Sequence, residues 1–217
     1  MKIENIISAT KNRLTWTIEH DLAGGRNLEI TSDPWARIHT IHMPTQGTDF
    51  REIEYLHEMA HAVLAEKHHL LSTAWFMRGT PEAAYRKMTE PIRSASDWFA
   101  DDLLMQWAPD EERAEIREHI GYAAKVVRLD NEIMYSGALF YAQGVKYCGN
   151  KRQDIPRRYR KPADILLAVD PGKPSVETKR GLVNNLAALT CNLRLILAVD
   201  DALEVWKIKD LKMRGIG

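Results

Sequence analysis

The apolar pattern of this chain reads first as short strands and then as helices. Leu14 to Ile18, Leu28 to Thr31 and Trp35 to Met43 have strand character. They are punctuated by the turn cluster Ala23-Gly24-Gly25-Arg26-Asn27, by Asp33-Pro34, and by Pro44-Thr45-Gln46-Gly47. A short helix over Glu4 to Arg13 precedes them. From Ile53 to Glu66 there is no Gly and no Pro, and Ile53, Leu56, Ala60, Val63 and Leu64 form a stripe at helical spacing. That stripe predicts a helix with one side turned to the core.

Further helices follow. Thr80 is placed to cap one, with Pro81 at its first position and Pro91 interrupting it. Ser94 to Leu104 is strongly helical. Pro109 opens a helix towards Leu129, with Asp110 as a candidate cap and acids in the first turn. Asp130 to Tyr147 forms another. Lys151 to Pro162 is a basic, Pro-flanked linker, and Ala163 to Val169 is a strand or a short helix. Val176 to Ile208 reads as one long helix or two, with Leu182, Leu186, Leu189, Leu193, Ile196 and Leu197 on the apolar side. The expected class is α+β: a small N-terminal mixed sheet packed on the helix from Ile53, then a mainly helical half. The lobes are 1–107 and 108–217, together one compact domain.

Composition removes several alternatives. Lys plus Arg and Asp plus Glu both number 30, so net charge offers no argument for nucleic acid or a membrane surface. Two cysteines, Cys148 and Cys191, form no CxxC, which suits reduced thiols in a cytoplasmic protein. MKIENIISATKNRLTW lacks the apolar core of a signal peptide, and no 18-residue apolar run suggests a membrane span. Arg157-Arg158-Tyr159-Arg160-Lys161 sets an aromatic ring among cations, as single-strand binders do. The neutral balance of the chain favours a solvated linker there, so nucleic acid is not the expected partner.

The chemistry concentrates in the first long helix. His57-Glu58-x-x-His61 places two imidazoles one turn apart on one face, where both can reach one metal ion. Glu58 lies about 100° round the helix, where its carboxylate can reach a water at the metal rather than the metal itself. Two nitrogen ligands, an open coordination position and a general base are the minimal kit for zinc-activated hydrolysis. His39 and His42 cannot add to it, because residues three apart on a strand point to opposite faces. One of them can line a cleft; ordinary surface histidines is the plainer reading. If the helix continues, His68 lies about 10 Å beyond His61, so His68 and His69 read as a solvated helix end. A catalytic zinc usually takes a third protein ligand, and Ser94 to Leu104 is the best place for it. Tyr122, Tyr135, His119 and Tyr141 are all candidates to stabilise an oxyanion, and nothing in the sequence chooses among them.

Thermolysin-like gluzincins take the third ligand from a second helix as ExxxD, the Glu on zinc and the Asp orienting a metal-binding His. The same spacing occurs here as Asp97-x-x-x-Asp101. Ser96-Asp97-Trp98-Phe99-Ala100-Asp101-Asp102-Leu103-Leu104-Met105 resembles the second signature of the ImmA/IrrE-type metallopeptidases and of HtpX-like gluzincins, and His57-Glu58-Met59-Ala60-His61-Ala62 is also similar to the SprT family. The resemblance spans Ile53 to Met105. It implies a zincin-like fold and a zinc metallopeptidase in which His57, His61 and Asp97 hold zinc, Asp101 fixes the His57 tautomer, and Glu58 is general base. It also implies a narrow intracellular protein or peptide substrate such as a repressor, often in a phage or mobile-element setting. The pattern departs at Arg93, where the family has the ligand Glu; Glu90, Asp101 and Glu82 are the other candidate ligands. Arg93 is also what favours the alternative, a weak or inactive zincin-fold regulatory or binding module, DNA-associated if it follows the SprT family.

Overall fold

The computed structural model describes residues 2–25, 27–45, 50–72 and 75–211. The class is α+β. Arg26, Gln46 and Gly47, which fall in two of the expected turns, lie outside the described residues. The chain forms two compact units: Met1–Thr73 with Ala100–Glu112, and Ala74–Phe99 with Arg113–Gly217.

In the first unit, helix α1 (Ile3–Lys11) precedes strands β1 (Thr17–Gly25), β2 (Glu29–Asp33) and β3 (Ile38–Pro44), and helix α2 (Glu52–Lys67) follows them. The sheet is mixed, in the order β1-β3-β2, with β1 parallel and β2 antiparallel to the central β3. Alternation turns Ile30, Ser32, His39 and Ile41 to the buried face, and the register pairs Ile30 with Ile41 and Ser32 with His39. Two expected bounds shift. Strand β1 starts at Thr17 rather than Leu14 and takes in Ala23, while Trp35 to Arg37 is a turn, not strand. Asp33 sets that turn by accepting from the backbone N–H groups of Trp35 (2.8 Å) and Ala36 (3.0 Å).

Helix α2 has Glu52 and Glu54 in its first turn and Lys67 in its last, in line with the helix dipole. Leu56, Ala60 and Leu64 are fully buried along one side. At its far end Glu66 clamps the start of β1. Its carboxylate accepts from the backbone N–H groups of Thr15 (2.7 Å) and Trp16 (2.7 Å) and from the Thr15 hydroxyl. A short helix, α3 (His69–Ser72), adds Leu70 and Leu71 to the core.

Helix α4 (Glu82–Trp107) runs unbroken through Pro91, against expectation. A mid-helix proline costs about 3 kcal/mol; the buried row Met88, Ile92, Ala95 and Phe99 outweighs it. Helices α5 (Pro109–Lys125) and α6 (Asn131–Tyr147) form where expected, and Asp130 caps α6 by accepting from the Ile133 N–H at 2.9 Å.

The expected basic linker is structured instead. A tight turn at Arg152–Asp154 leads into α7 (Arg157–Leu167), which absorbs both the Arg-rich run and Ala163. Ile155, Tyr159, Pro162, Ala163 and Leu166 make its buried stripe, among exposed cations that obscure it in the sequence. Helix α8 (Val176–Ala187) is capped by Ser175, whose hydroxyl accepts from the Thr178 N–H at 3.1 Å.

The expected helix beyond it is a hairpin, β4 (Leu193–Asp200) and β5 (Leu203–Asp210), antiparallel. Trp206-Lys207-Ile208-Lys209 alternates with period two, and Ile196 is exposed rather than on an apolar helix side. Asp201 and Ala202 make the connection, both at positive φ (47° and 65°), as two-residue hairpin turns demand. Among the described residues no helix is long and apolar enough to cross a membrane.

Candidate metal centre

Helix α2 brings His57 and His61 together as the spacing predicts. Their Nε2 atoms lie 3.0 Å apart, with the rings edge to face. Two imidazole nitrogens that close need a proton or a cation between their lone pairs. Ligands about 2.0–2.1 Å from a tetrahedral zinc sit about 3.3–3.4 Å from each other, so the pair is set for a shared ion with little adjustment.

The orientation of His57 comes from helix α4. Asp101, buried, places Oδ1 2.8 Å from His57 Nδ1. A carboxylate there accepts a hydrogen bond from Nδ1–H and so leaves Nε2 as the lone-pair donor, the usual outer-sphere arrangement of a metal-binding histidine. One turn earlier on the same helix lies Asp97, half-buried, at the spacing from Asp101 that the sequence predicts. Two imidazoles and one carboxylate suit zinc in charge and softness.

Other residues considered from the sequence fall elsewhere. Glu82 is exposed and holds Arg86 at 2.8 Å; Glu90 faces Arg93 at 3.6 Å. Burial pushes the Glu90 carboxyl up, against the pull of Arg93. Neither joins the histidine group, and Arg93, where the resemblance calls for a ligand, is exposed. His39 is not a surface residue: it is fully buried, stacked on Trp16, with Nδ1 2.8 Å from the Ser32 hydroxyl and Nε2 3.4 Å from Glu66. His42 pairs with Asp21 at 2.9 Å. His68 ends α2 as an extended cap, and it and His69 are half-buried and stacked on each other rather than solvated.

Glu58 is half-buried, and its Oε2 accepts the backbone N–H of Ile30 in β2 at 2.9 Å. That bond ties Glu58 to a sheet strand. Of the candidate oxyanion donors, Tyr135 is committed to the core, its hydroxyl bonded to the Leu186 carbonyl at 2.9 Å and to Thr190. His119 is stacked on Phe140, Tyr141 is buried against the Tyr159 ring, and Tyr122 is exposed. Tyr159, the aromatic of the basic run, is wholly buried with its hydroxyl on the Ala123 carbonyl, so no base can stack on it.

One residue the sequence reading passed over is Lys179. It is fully buried on α8. Burial draws its ammonium down to about 7, against the upward pull of the Asp97 carboxylate. The signal was available: a lysine at a stripe position, with Val176, Leu182, Val183 and Leu186 on the same side.

Comparison with known proteins adds no relative: no family model, no curated protein and no solved structure matches this chain.

Proposed function

We propose that this protein is a zinc-dependent metallopeptidase of zincin type, acting on a protein or peptide substrate. The observation that carries the reading is the meeting of the His57 and His61 Nε2 atoms at 3.0 Å, with the Asp101 carboxylate 2.8 Å from His57 Nδ1. His57, His61 and Asp97 hold the ion, and Asp101 keeps His57 in the coordinating tautomer. Zinc at this position supplies Lewis acidity, which makes water a better nucleophile near neutral pH and polarises a peptide carbonyl. Glu58 takes a proton from the attacking water and returns it to the leaving amide nitrogen. An extended substrate segment reaches Glu58 by lying along β2, the strand that already bonds to it.

The test uses the full chain. Purified protein should carry stoichiometric zinc, and Glu58→Gln should retain that zinc while turnover of an unfolded protein substrate falls by about 10²–10⁴-fold. Zinc retained with undiminished turnover overturns Glu58 as the general base, and a zinc-loaded parent protein with no turnover overturns the peptidase reading.

A further inference from the structure

The small sheet carries a hydroxyl–imidazole–carboxylate chain on each face. On the buried face it is Ser32, His39 and Glu66, and it is sealed, since His39 has no exposed surface. On the opposite face it is Thr31, His42 and Asp21, one from each strand, with Thr31 exposed and the other two partly so. His42 Nε2 lies 2.9 Å from the Thr31 hydroxyl, and Nδ1 of the same ring lies 2.9 Å from Asp21 Oδ2. The other Asp21 oxygen accepts the backbone N–H of Ala23 at 2.9 Å, where β1 slips out of register with β3. Irregularities of this kind re-aim a side chain.

The bonds from Ala23 and His42 hold the Asp21 carboxyl below the usual carboxylate range, so at neutral pH it only accepts. The neutral His42 ring then carries its proton on Nδ1, and the Nε2 lone pair accepts from the Thr31 O–H. A hydroxyl, a base and an orienting group in hydrogen-bond reach in that order are the signature of an activated nucleophile. As a brace for the fold such an exposed chain contributes little.

We propose that Thr31, His42 and Asp21 form an acyl-transfer site, with Thr31 Oγ1 the nucleophile toward small activated acyl esters. The site is separate from the HExxH helix and does not rest on the metal reading. Thr31 Oγ1 bonds to the acyl carbon, the bond from that carbon to the leaving oxygen breaks, and the Thr31 proton passes through His42 to the leaving alcohol. Water, giving a proton to His42, then adds to the new ester. The bond from the acyl carbon to Thr31 breaks, the carboxylic acid departs, and Thr31 regains its proton from His42. The sum is ester plus water to acid plus alcohol.

The full-length protein, with a chelator present so that metal takes no part, is mixed with p-nitrophenyl acetate. Nitrophenolate release is followed, and acid-quenched samples are mapped by peptide mass. An acetyl group should appear on Thr31, vanish in Thr31→Val and return in Thr31→Ser. It should form about 10²–10⁴-fold more slowly in His42→Gln, and more slowly in Asp21→Asn, which frees the ring to take either tautomer. Acetyl groups on lysines or the amino terminus are common to all variants and set the background. Acetyl found on His42 but not on Thr31, or Thr31 acetylated at the parent rate in His42→Gln and Asp21→Asn, overturns the proposal. So does labelling confined to the background. All three side chains face solvent, so melting should stay near that of the parent; if His42→Gln melts early, the near-isosteric Asp21→Asn decides.

Discussion

The carboxylate of Asp101 lies 2.8 Å from Nδ1 of His57, on the ring edge opposite the nitrogen that faces His61. Asp101→Ala takes away the proton acceptor and frees both the ring and its tautomer. Zinc affinity should fall by about 10- to 100-fold, with thermal stability of the metal-free protein little lowered. Titration against a chelator checks it, and an affinity within twofold of the parent protein speaks against the orienting role.

The His39–Glu66 pair should make stability fall in mild acid. Burial holds His39 below its ordinary value near 6.5, with the Glu66 carboxylate pulling the other way. The unfolded chain therefore takes up this proton first. Stability from His39 is complete above about pH 6.5 and declines as pH drops towards the lowered native value. For Glu66, burial alone would raise the carboxyl. Hydrogen bonds from Thr15, Trp16 and His39 outweigh it and hold the group below its ordinary 4.5. Its contribution is present above about pH 4.5 and is lost as pH falls through the native value. One group gives a slope of at most about 1.4 kcal/mol per pH unit. Urea midpoints at about pH 7.5 and 5.5 should differ less in His39→Gln than in the parent. Equal differences would show that this imidazole does not titrate with folding.

The hairpin turn offers a stabilising change. Ala202 sits at φ 65°, where a side chain costs about 1–2 kcal/mol. Ala202→Gly removes that penalty and gives back part of it through the freer unfolded chain. A net gain of about 0.5–1 kcal/mol should appear as a higher melting temperature, while a fall would mean that the turn holds Ala202 without strain.

Gly137 on α6 is held close against α7. A Cβ built there meets the Tyr159 ring at 2.5 Å, and that ring is stacked on Tyr141 and fully buried. Gly137→Ala should cost about 1–3 kcal/mol through overpacking, read as a lower urea midpoint. Gly181 has nothing within 4 Å of the same construction, and its alanine variant is the control, expected to be neutral or slightly stabilising.

What the sequence showed of the site came from spacing within single helices. His57 with His61, and Asp97 with Asp101, are each one turn apart, and a helix converts that spacing into a shared face without help from the rest of the fold. Lys179 was legible as a lysine three residues before Leu182 on the apolar row of α8, but it belongs to no motif and so drew no notice. The fold was legible to a similar depth. The α2 stripe and the helix over Asp130 to Tyr147 are local signals and stand, whereas Asp110, the expected cap, lies inside the first turn of α5. The hairpin was misread because Leu193, Ile196 and Leu197 fit a helical period by chance, while the turn at Asp201 and Ala202 contains no glycine to announce it. In α7 the buried stripe through Tyr159 was hidden by its arginines. Two of these leave the core by their side chains: Arg158 reaches the Val126 and Ala123 carbonyls, and Arg160 the Ile155 carbonyl.

The bond from the Ile30 amide to Glu58 joins seating and readiness. The amide that bonds to Glu58 is turned away from β3, on the rim of the sheet where another chain can add itself. A guest strand that pairs at Ile30 competes for the donor that now occupies Glu58, and in taking it unties the carboxylate. On the proposed peptidase reading, docking and deprotonating capacity would thereby be coupled: an empty rim would keep Glu58 engaged and a filled one would release it.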